Sequence, residues 1–263
     1  MSFGLSRGRE LDPTGVEVPA SSLPPLPDDL LKRPESGFID PRAWFPDAAR
    51  PFDIEIGSGK GSFLLNQAAA EPGANYLGIE WEREFFVYAA DRVRRRRLAN
   101  VRMLHADATS FIRWRVPSAI VRTIHLYFSD PWPKTKHHKN RVIQHAFLAQ
   151  AWRVLVPGGE LRVVTDHAEL WAWDCAHFAP WTEPGHPEAA SVIPDWLRNR
   201  LPGGDSRLFH VEHFEPPAWA GEGELVGTNY ERKMVPAGER AHACVLRKAE
   251  VSGESSESGR LTG

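Results

Sequence analysis

The sequence FDIEIGSGKG, residues 52–61, decides the fold of this chain. An apolar strand pattern runs directly into three glycines at alternate positions, Gly57, Gly59 and Gly61. Glycines at this spacing let the backbone turn tightly and let a ligand lie against it. The G-x-G-x-G spacing differs from the G-x-G-x-x-G of dinucleotide-binding turns. A helix from Ser62 to about Ala70 is predicted to follow, and an ordinary strand–helix turn is the alternative interpretation.

Four more strand-like segments follow, and helical patterns separate them. They are NYLGIEW (75–81), VRMLHAD (101–107), TIHLYFSD (123–130) and ELRVVTD (160–166). Strands that alternate with helices predict a largely parallel sheet with helices on both faces. A last strand near His242–Arg247 is expected to be antiparallel. We therefore predict an α/β fold, a Rossmann-like, seven-stranded, mostly parallel and doubly wound sheet.

Low-complexity segments flank this region and suggest three parts. Residues 1–46 are rich in proline and are predicted to form a flexible N-terminal arm. Residues 47–248 carry the alternating pattern and form the predicted domain. Residues 249–263 are a polar tail that is predicted to be disordered.

Acidic residues stand at the carboxyl ends of the predicted strands, where ligands of such sheets bind. Glu80 ends the second strand about twenty positions beyond the glycines, where it can accept hydrogen bonds from both hydroxyls of a ribose. Asp107 ends the third strand, where a carboxylate can receive an adenine amino group, although a helix cap is the alternative for this residue. Together with the glycine turn, these acids predict the adenosine-binding edge of a class I methyltransferase.

The segment YFSDPWPKTKHHKNR, residues 127–141, follows the fourth strand. Asp130 is expected at the strand tip, and the prolines on both sides of Trp132 make the backbone rigid. The basic residues behind them are predicted to form a phosphate-binding patch: Lys134, Lys136, Lys139 and Arg141. A solvated loop is the alternative. The arginines of residues 92–97 are a second candidate surface for RNA.

These motifs resemble those of the bacterial tRNA (guanine-N7)-methyltransferase family. EIGSGKG, SDPWPK with the following HHK, VVTDH and TNYERK occur in the family's order, and the resemblance covers about Phe52 to Lys248. It implies a class I methyltransferase that moves a methyl group from S-adenosyl-L-methionine to N7 of a guanine in tRNA. By the same resemblance, the target is the variable-loop guanine at tRNA position 46.

The resemblance also implies the site residues. The cofactor-binding positions are Glu55, Gly57, Gly59, Glu80, Asp107 and Asp130, and Asp130 is also the implied catalytic residue. The substrate-binding positions are Lys134, Asp166, Thr228, Asn229, Tyr230 and Glu231.

The chemistry of guanine N7 fits this set of acids. N7 carries no proton, so catalysis needs alignment and electrostatic stabilisation more than a strong base. A fixed carboxylate can stabilise the positive charge that develops on the purine, and a carboxylate can also accept the guanine N1–H and 2-amino groups. Asp130 is the first candidate and Asp166 the second, and the sequence leaves their division of labour open.

Composition limits the other possibilities. The net charge of −2 favours a local RNA-binding patch over a basic surface, and no apolar run is long enough to span a membrane. Two distant cysteines fit a reducing, cytoplasmic location without a disulfide framework. His137 and His138 lack supporting ligands, so no metal is expected. The oligomeric state is left as a monomer or a homodimer.

Three rival functions remain at this point. They are methylation of another base or an exocyclic amine, hydride transfer with a nicotinamide cofactor, and RNA binding without catalysis. Hydride transfer would need the dinucleotide turn that is missing here. RNA binding alone would leave Glu80 and Asp130 without a role.

Overall fold

The computed structural model describes residue 5 and residues 8–199, 207–228, 230–234 and 241–250. Within them the strands are β1 (Glu17–Val18), β2 (Phe52–Ile56), β3 (Asn75–Glu80), β4 (Val101–His105), β5 (Val121–Tyr127), β6 (Leu155–Thr165), β7 (Phe209–Glu212) and β8 (His242–Lys248). The longer helices are α1 (Ser62–Ala70), α2 (Arg83–Arg95), α3 (Ala108–Arg115), α4 (His145–Val154) and α5 (Ala168–Thr182). Three helices of four residues follow, α6 (Ala189–Val192), α7 (Asp195–Arg198) and α8 (Glu231–Met234).

All these strands lie in one sheet with the order β1-β4-β3-β2-β5-β6-β8-β7. β1 to β6 are parallel to one another, and β8 is antiparallel to both β6 and β7. The predicted fold class and the antiparallel last strand are confirmed. The chain moves outward from β2 to β4 and then returns to β5, so a crevice opens at the carboxyl ends of β2 and β5.

The two faces of the sheet follow the alternation of side chains along the strands. Ile54 and Leu77 point to a core that α3, α4 and α5 cover with residues such as Ile112 and Trp152. Tyr76, which precedes Leu77 in β3, points to the opposite face, which α1 and α2 cover. The acids Asp53 and Glu55 have the register of this second face, because successive side chains of a strand point in opposite directions.

The N-terminal arm supplies one of two strands that the sequence did not predict, and β7 is the other. β1 pairs with β4 at the edge of the sheet, and Val16 and Val18 are buried there. The Arg9 guanidinium donates a hydrogen bond to the buried carboxylate of Asp91 in α2 at 3.0 Å. The described part of the arm is therefore packed on the domain, and the sheet has one strand more than the seven expected.

The boundaries 1–46, 47–248 and 249–263 stay predictions. Of the polar tail, Ala249 and Glu250 are described, and the Ala249 amide donates to the Leu208 carbonyl at 2.9 Å. Residues 251–263 lie outside the described residues. Among the helices of the described part, none has the length and apolar character needed to cross a bilayer.

Gly78 lies in the middle of β3, where the packing leaves no room for a methyl group. A Cβ atom there would lie 2.4 Å from Leu64 Cδ1, 2.6 Å from Met103 Sδ and 2.7 Å from Ser58 Oγ. We expect Gly78→Ala to lower the free energy of unfolding by about 1–3 kcal/mol through overpacking. Gly73→Ala is the matched control, since nothing lies within 4 Å of its Cβ position. Urea unfolding compares the two variants, and equal stabilities would contradict the packing account.

Candidate functional site

The glycine turn after β2 has the geometry that only glycine adopts without strain. Gly57, Gly59 and Gly61 have φ angles of 71°, 52° and 68°. The amide of Gly57 donates to the carbonyl of Ile79 at 2.9 Å, which ties the turn to β3. Nothing lies within 4 Å of the Cβ position of Gly57, so one side of the turn is open to a ligand.

Glu80, the last residue of β3, holds the turn in place. Its Oε2 accepts a hydrogen bond from the Gly59 amide at 2.7 Å, and its Oε1 accepts one from the Glu82 amide at 2.8 Å. The side chain is buried, and burial raises its pKa, with a further contribution from the charge of Asp130. A carboxylate has about four acceptor positions, so these bonds leave capacity for further donors.

Glu55 lies beside this turn with an unsatisfied carboxylate. It is buried on β2, and its Oε2 has no hydrogen-bond partner within the described part of the chain. Burial raises the pKa of Glu55 to about 8, and the nearby charge of Glu80 adds to the shift. Buried polar atoms almost always have a partner in a folded protein. A donor or a cation from a ligand would supply the missing one.

Asp107 follows β4 and caps the next helix. Its Oδ1 accepts hydrogen bonds from the Ser110 amide at 2.7 Å and from the Thr109 hydroxyl at 2.8 Å. This is the capping geometry that the sequence left open as the alternative. The residue is exposed at the same edge of the sheet, so its carboxylate is accessible to a ligand. Its expected contact with adenine stays a prediction. Trp81, which the sequence prediction did not single out, is also exposed beside Glu80, with 71% of its surface accessible.

Asp130 lies in an exposed loop beyond the carboxyl end of β5. The loop has two residues in the left-handed region, Phe128 with φ 53° and Trp132 with φ 43°. Such angles cost about 1–3 kcal/mol for residues other than glycine, and they persist where the surroundings enforce them. The Phe128 amide donates to the Val164 carbonyl of β6 at 2.7 Å, which fixes the start of the loop.

Tyr230 packs against the loop of Asp130. Its ring centroid is 5.1 Å from that of Phe128, and Asp166 follows directly after β6 at the same edge of the sheet. Burial raises the pKa of Tyr230, and the charges of Asp166 and Asp130 raise it further. The contact between Phe128 and Tyr230 was missed from the sequence, because it joins loops that are a hundred residues apart.

The segment around Tyr230 is organised by two other predicted substrate residues. Glu231 is buried, and its Oε2 accepts hydrogen bonds from the amides of Val226 and Gly227 at 3.0 and 2.9 Å. Its own amide donates to the Thr228 hydroxyl at 3.1 Å. Glu231 thus holds its own loop, and Asn229 lies outside the described residues.

The basic loop forms a 3-10 helix over Thr135–Asn140. Lys134, Lys136 and Lys139 are exposed, as a phosphate-binding patch requires. Arg141 is different, because only 1% of its side chain is accessible. Its predicted role as a phosphate contact is wrong, since the guanidinium is turned into the protein.

The arginine-rich end of α2 is partly used to hold a buried acid. The side chains of Arg94 and Arg95 bind the buried Asp91 at 3.2 and 2.9 Å. Both side chains stay exposed, as do Arg96 and Arg97. Arg94 and Arg95 therefore have a structural role as well, and this second surface remains a candidate for RNA.

A polar cavity of about 420 Å³ lies nearer the amino-terminal ends of β2 and β5. Its Arg122 binds Asp53 at 2.7 Å, and its Arg162 binds Glu160 at 3.0 Å. Because these charges already neutralise one another, the cavity has less need of a charged ligand than the carboxyl edge has. Within the described residues no group of three or more His, Cys, Asp and Glu side chains could hold a metal ion.

This chain is similar in sequence to known methyltransferases. Residues 49–185 match a family model described as "Putative methyltransferase". The tRNA (guanine-N(7)-)-methyltransferase of Nitrobacter hamburgensis is 34% identical over 74% of this chain and 74% of its own length. The protein of the same name from Halorhodospira halophila is 40% identical over 53% of this chain, and the match spans 60% of that relative's length. A solved structure of the 16S rRNA methyltransferase KamB is 16% identical, with a TM-score of 0.47 over 87% of this chain and 95% of that one.

The raised pKa of Glu55 predicts how stability depends on pH. Its carboxyl ionises near the ordinary value of 4.5 in the unfolded chain and near 8 in the folded protein. Between these values the folded state binds more protons, so the free energy of unfolding falls as pH rises, and the loss levels off above about pH 8. We expect Glu55→Gln to reduce this fall by at least about 1 kcal/mol between pH 5 and 8.

Thermal or urea unfolding across that pH range, without added ligand, measures the effect. Asp174 keeps part of the slope in the variant, because burial raises its pKa to about 7. Glu183→Gln at the surface is the control. Parallel pH profiles for wild type and Glu55→Gln would contradict the assignment.

Proposed function

Because this chain belongs to the tRNA (guanine-N7)-methyltransferase family, we propose that it transfers the methyl group of S-adenosyl-L-methionine to N7 of a guanine in tRNA. One observation carries the proposal. The glycine turn, Glu80 and Asp130 lie at the carboxyl ends of β2, β3 and β5, so the features suited to adenosine and the predicted catalytic acid share one edge of the sheet. The charge of Asp130 raises the pKa of Glu80 and of Tyr230, which supports this proximity.

The residues at this edge fit the proposed cofactor. The open side of Gly57 leaves room for a ligand, and the unpartnered Oε2 of Glu55 can accept a hydrogen bond from it. Glu80 would accept hydrogen bonds from the ribose hydroxyls, and Asp107 would receive the adenine amino group. When bound, S-adenosyl-L-methionine supplies an electrophilic methyl group on a positively charged sulfur. Its cationic groups would lower the pKa of Glu55 and so favour the ionised carboxylate.

The chemistry requires positioning more than proton transfer. Guanine N7 uses its lone pair as the nucleophile and loses no proton, so the site needs no general base. Asp130 would stabilise the positive charge that develops on the purine. The charge of Asp166 raises the pKa of Tyr230, which indicates that the two are close, and we assign to this pair the orientation of the base. The half-exposed ring of Tyr230 offers a surface on which a purine can stack.

The RNA backbone would bind on the basic loop. Lys134, Lys136 and Lys139 are exposed beside Asp130, whereas the chain as a whole carries a net charge of −2. Phosphate contacts of this kind make affinity depend on salt. Glu231 would act by holding the loop of Thr228 and Tyr230, because its Oε2 already accepts two backbone amides. We further propose that the methylated nucleotide is the variable-loop guanine and that the protein acts in the cytoplasm.

Incubation of the purified protein with tRNA and methyl-labelled cofactor tests the proposal. We expect the label in N7-methylguanosine of the variable loop after nuclease digestion and mass spectrometry. Asp130→Asn should lower the single-turnover rate by about 10²-fold or more, because it removes a preorganised charge. Its cofactor affinity, measured by calorimetry, should change much less than the rate.

Each rival function predicts a different result. Label on another base or on an exocyclic amine would assign the enzyme to another substrate atom. Cofactor binding without any labelled tRNA would contradict the proposed reaction. A near wild-type rate for Asp130→Asn at saturating tRNA would remove this residue from catalysis.

A further inference from the structure

Arg141 is a charged side chain in a place where charge is costly. Its guanidinium lies under the loop that carries Asp130, with 1% of the side chain accessible. Taking such a group out of water costs several kcal/mol unless partners replace the water. The partners that the structure provides are two loop carbonyls, one carboxylate and one aromatic ring.

The first partners are the carbonyls of the proline-flanked loop. Arg141 Nε donates to the Pro131 carbonyl at 2.9 Å, and Nη2 lies 3.5 Å from the Trp132 carbonyl. Pro131 and Pro133 have no amide hydrogen, so this segment cannot be held by a regular set of backbone donors. Arg141 supplies donors from outside to a segment that lacks its own.

The second set of partners fixes the guanidinium itself. Nη2 donates to Glu169 Oε1 at 2.7 Å, and the guanidinium carbon lies 4.9 Å from the ring centroid of Trp173. Both residues are on α5, which begins just after Asp166. Arg141 therefore connects the loop of Asp130 to the helix that follows the second substrate acid.

The backbone of the loop explains why such a connection is needed. Trp132 has a φ of 43°, and Phe128 has a φ of 53°. Strained conformations of this kind relax unless the surroundings over-determine them. A planar guanidinium can bond to the loop and to Glu169 at the same time, whereas a lysine ammonium lacks the fixed fork.

From these contacts we propose that Arg141 is a positioning residue that holds the Pro131–Trp132 segment, and with it Asp130 and Lys134, against α5. It does not contact RNA phosphate. The expected effect of Arg141 on turnover rests on the proposed function. The expected effect of Arg141 on the loop follows from the contacts alone.

Arg141→Lys tests this inference, because it keeps the positive charge and loses the fork. Amide hydrogen exchange of residues 130–140 should become faster, while exchange in β2 and β3 stays unchanged. Misplacement of the reacting groups by even 1 Å can cost about 10²-fold in rate. We expect the single-turnover rate at saturating tRNA and cofactor to fall about tenfold or more.

Binding measurements separate positioning from phosphate contact. Arg141→Lys and Arg141→Ala should keep the wild-type slope of log affinity against log salt. Lys139→Ala, on the exposed side of the same loop, should lower that slope by about 0.7–0.9, as the loss of one phosphate contact does. Glu169→Gln weakens the ion pair to Arg141 and keeps the guanidinium, so it serves as the test if the Arg141 variants fold poorly. We expect amide exchange of residues 130–140 in Glu169→Gln to increase to a level between those of the wild type and Arg141→Lys.

Two results would overturn the inference. One is unchanged exchange of residues 130–140 in Arg141→Lys and Glu169→Gln. The other is a reduced salt slope in Arg141→Ala, which would make Arg141 a phosphate contact. If the wild-type protein methylates no tRNA, the proposed function fails, and the exchange result alone then decides whether Arg141 holds the loop.

Discussion

The hydrogen bond from the Gly59 amide to the carboxylate of Glu80, 2.7 Å long, is the constraint on which the site depends. It joins the turn after β2 to the end of β3, and it can form because Gly57 and Gly59 adopt positive φ angles. With the turn fixed in this way, Glu55 stays buried beside it and α1 starts at a defined place. The same carboxylate that holds the turn is the one we propose to bind a ribose.

The cost of this arrangement is a concentration of negative charge. Glu55, Glu80, Asp130 and Asp166 all lie near the carboxyl edge, and burial, with a smaller contribution from neighbouring acids, raises the pKa of Glu55, Glu80 and Tyr230. Paired arginines relieve the acids of the polar cavity, but the edge itself has no comparable partner in the described residues. A cationic cofactor and a base that gains positive charge are the chemical partners that such an edge favours.

Most of the fold could be predicted from local patterns. The strand end at Glu80 follows from an apolar segment that runs into a turn, and parallel strands bring such ends to one edge. The fourth strand was predicted to reach Asp130, but β5 ends three residues earlier, at Tyr127. β1 could not be predicted, because two residues in a proline-rich arm have no periodic pattern. It forms only because β4 presents an open edge.

The site residues were harder to predict because their roles depend on contacts distant in sequence. Arg141 looks like part of a basic patch by composition, yet Glu169 and Trp173 on another helix draw it inward. Glu231 looks like a substrate ligand, yet amides within its own loop take its Oε2. In both cases the sequence identifies a functional segment and the tertiary structure decides which side chains hold it and which remain exposed.

We propose that the carboxyl edge of β2, β3 and β5 binds the methyl donor. A crystal structure with S-adenosyl-L-homocysteine, the demethylated product, would locate the ligand. We expect ribose hydroxyls within about 3 Å of the Glu80 carboxylate, and a ligand donor at the unpartnered Oε2 of Glu55. A ligand bound instead in the polar cavity of Arg122 and Arg162, with Glu80 and Glu55 untouched, would refute this assignment.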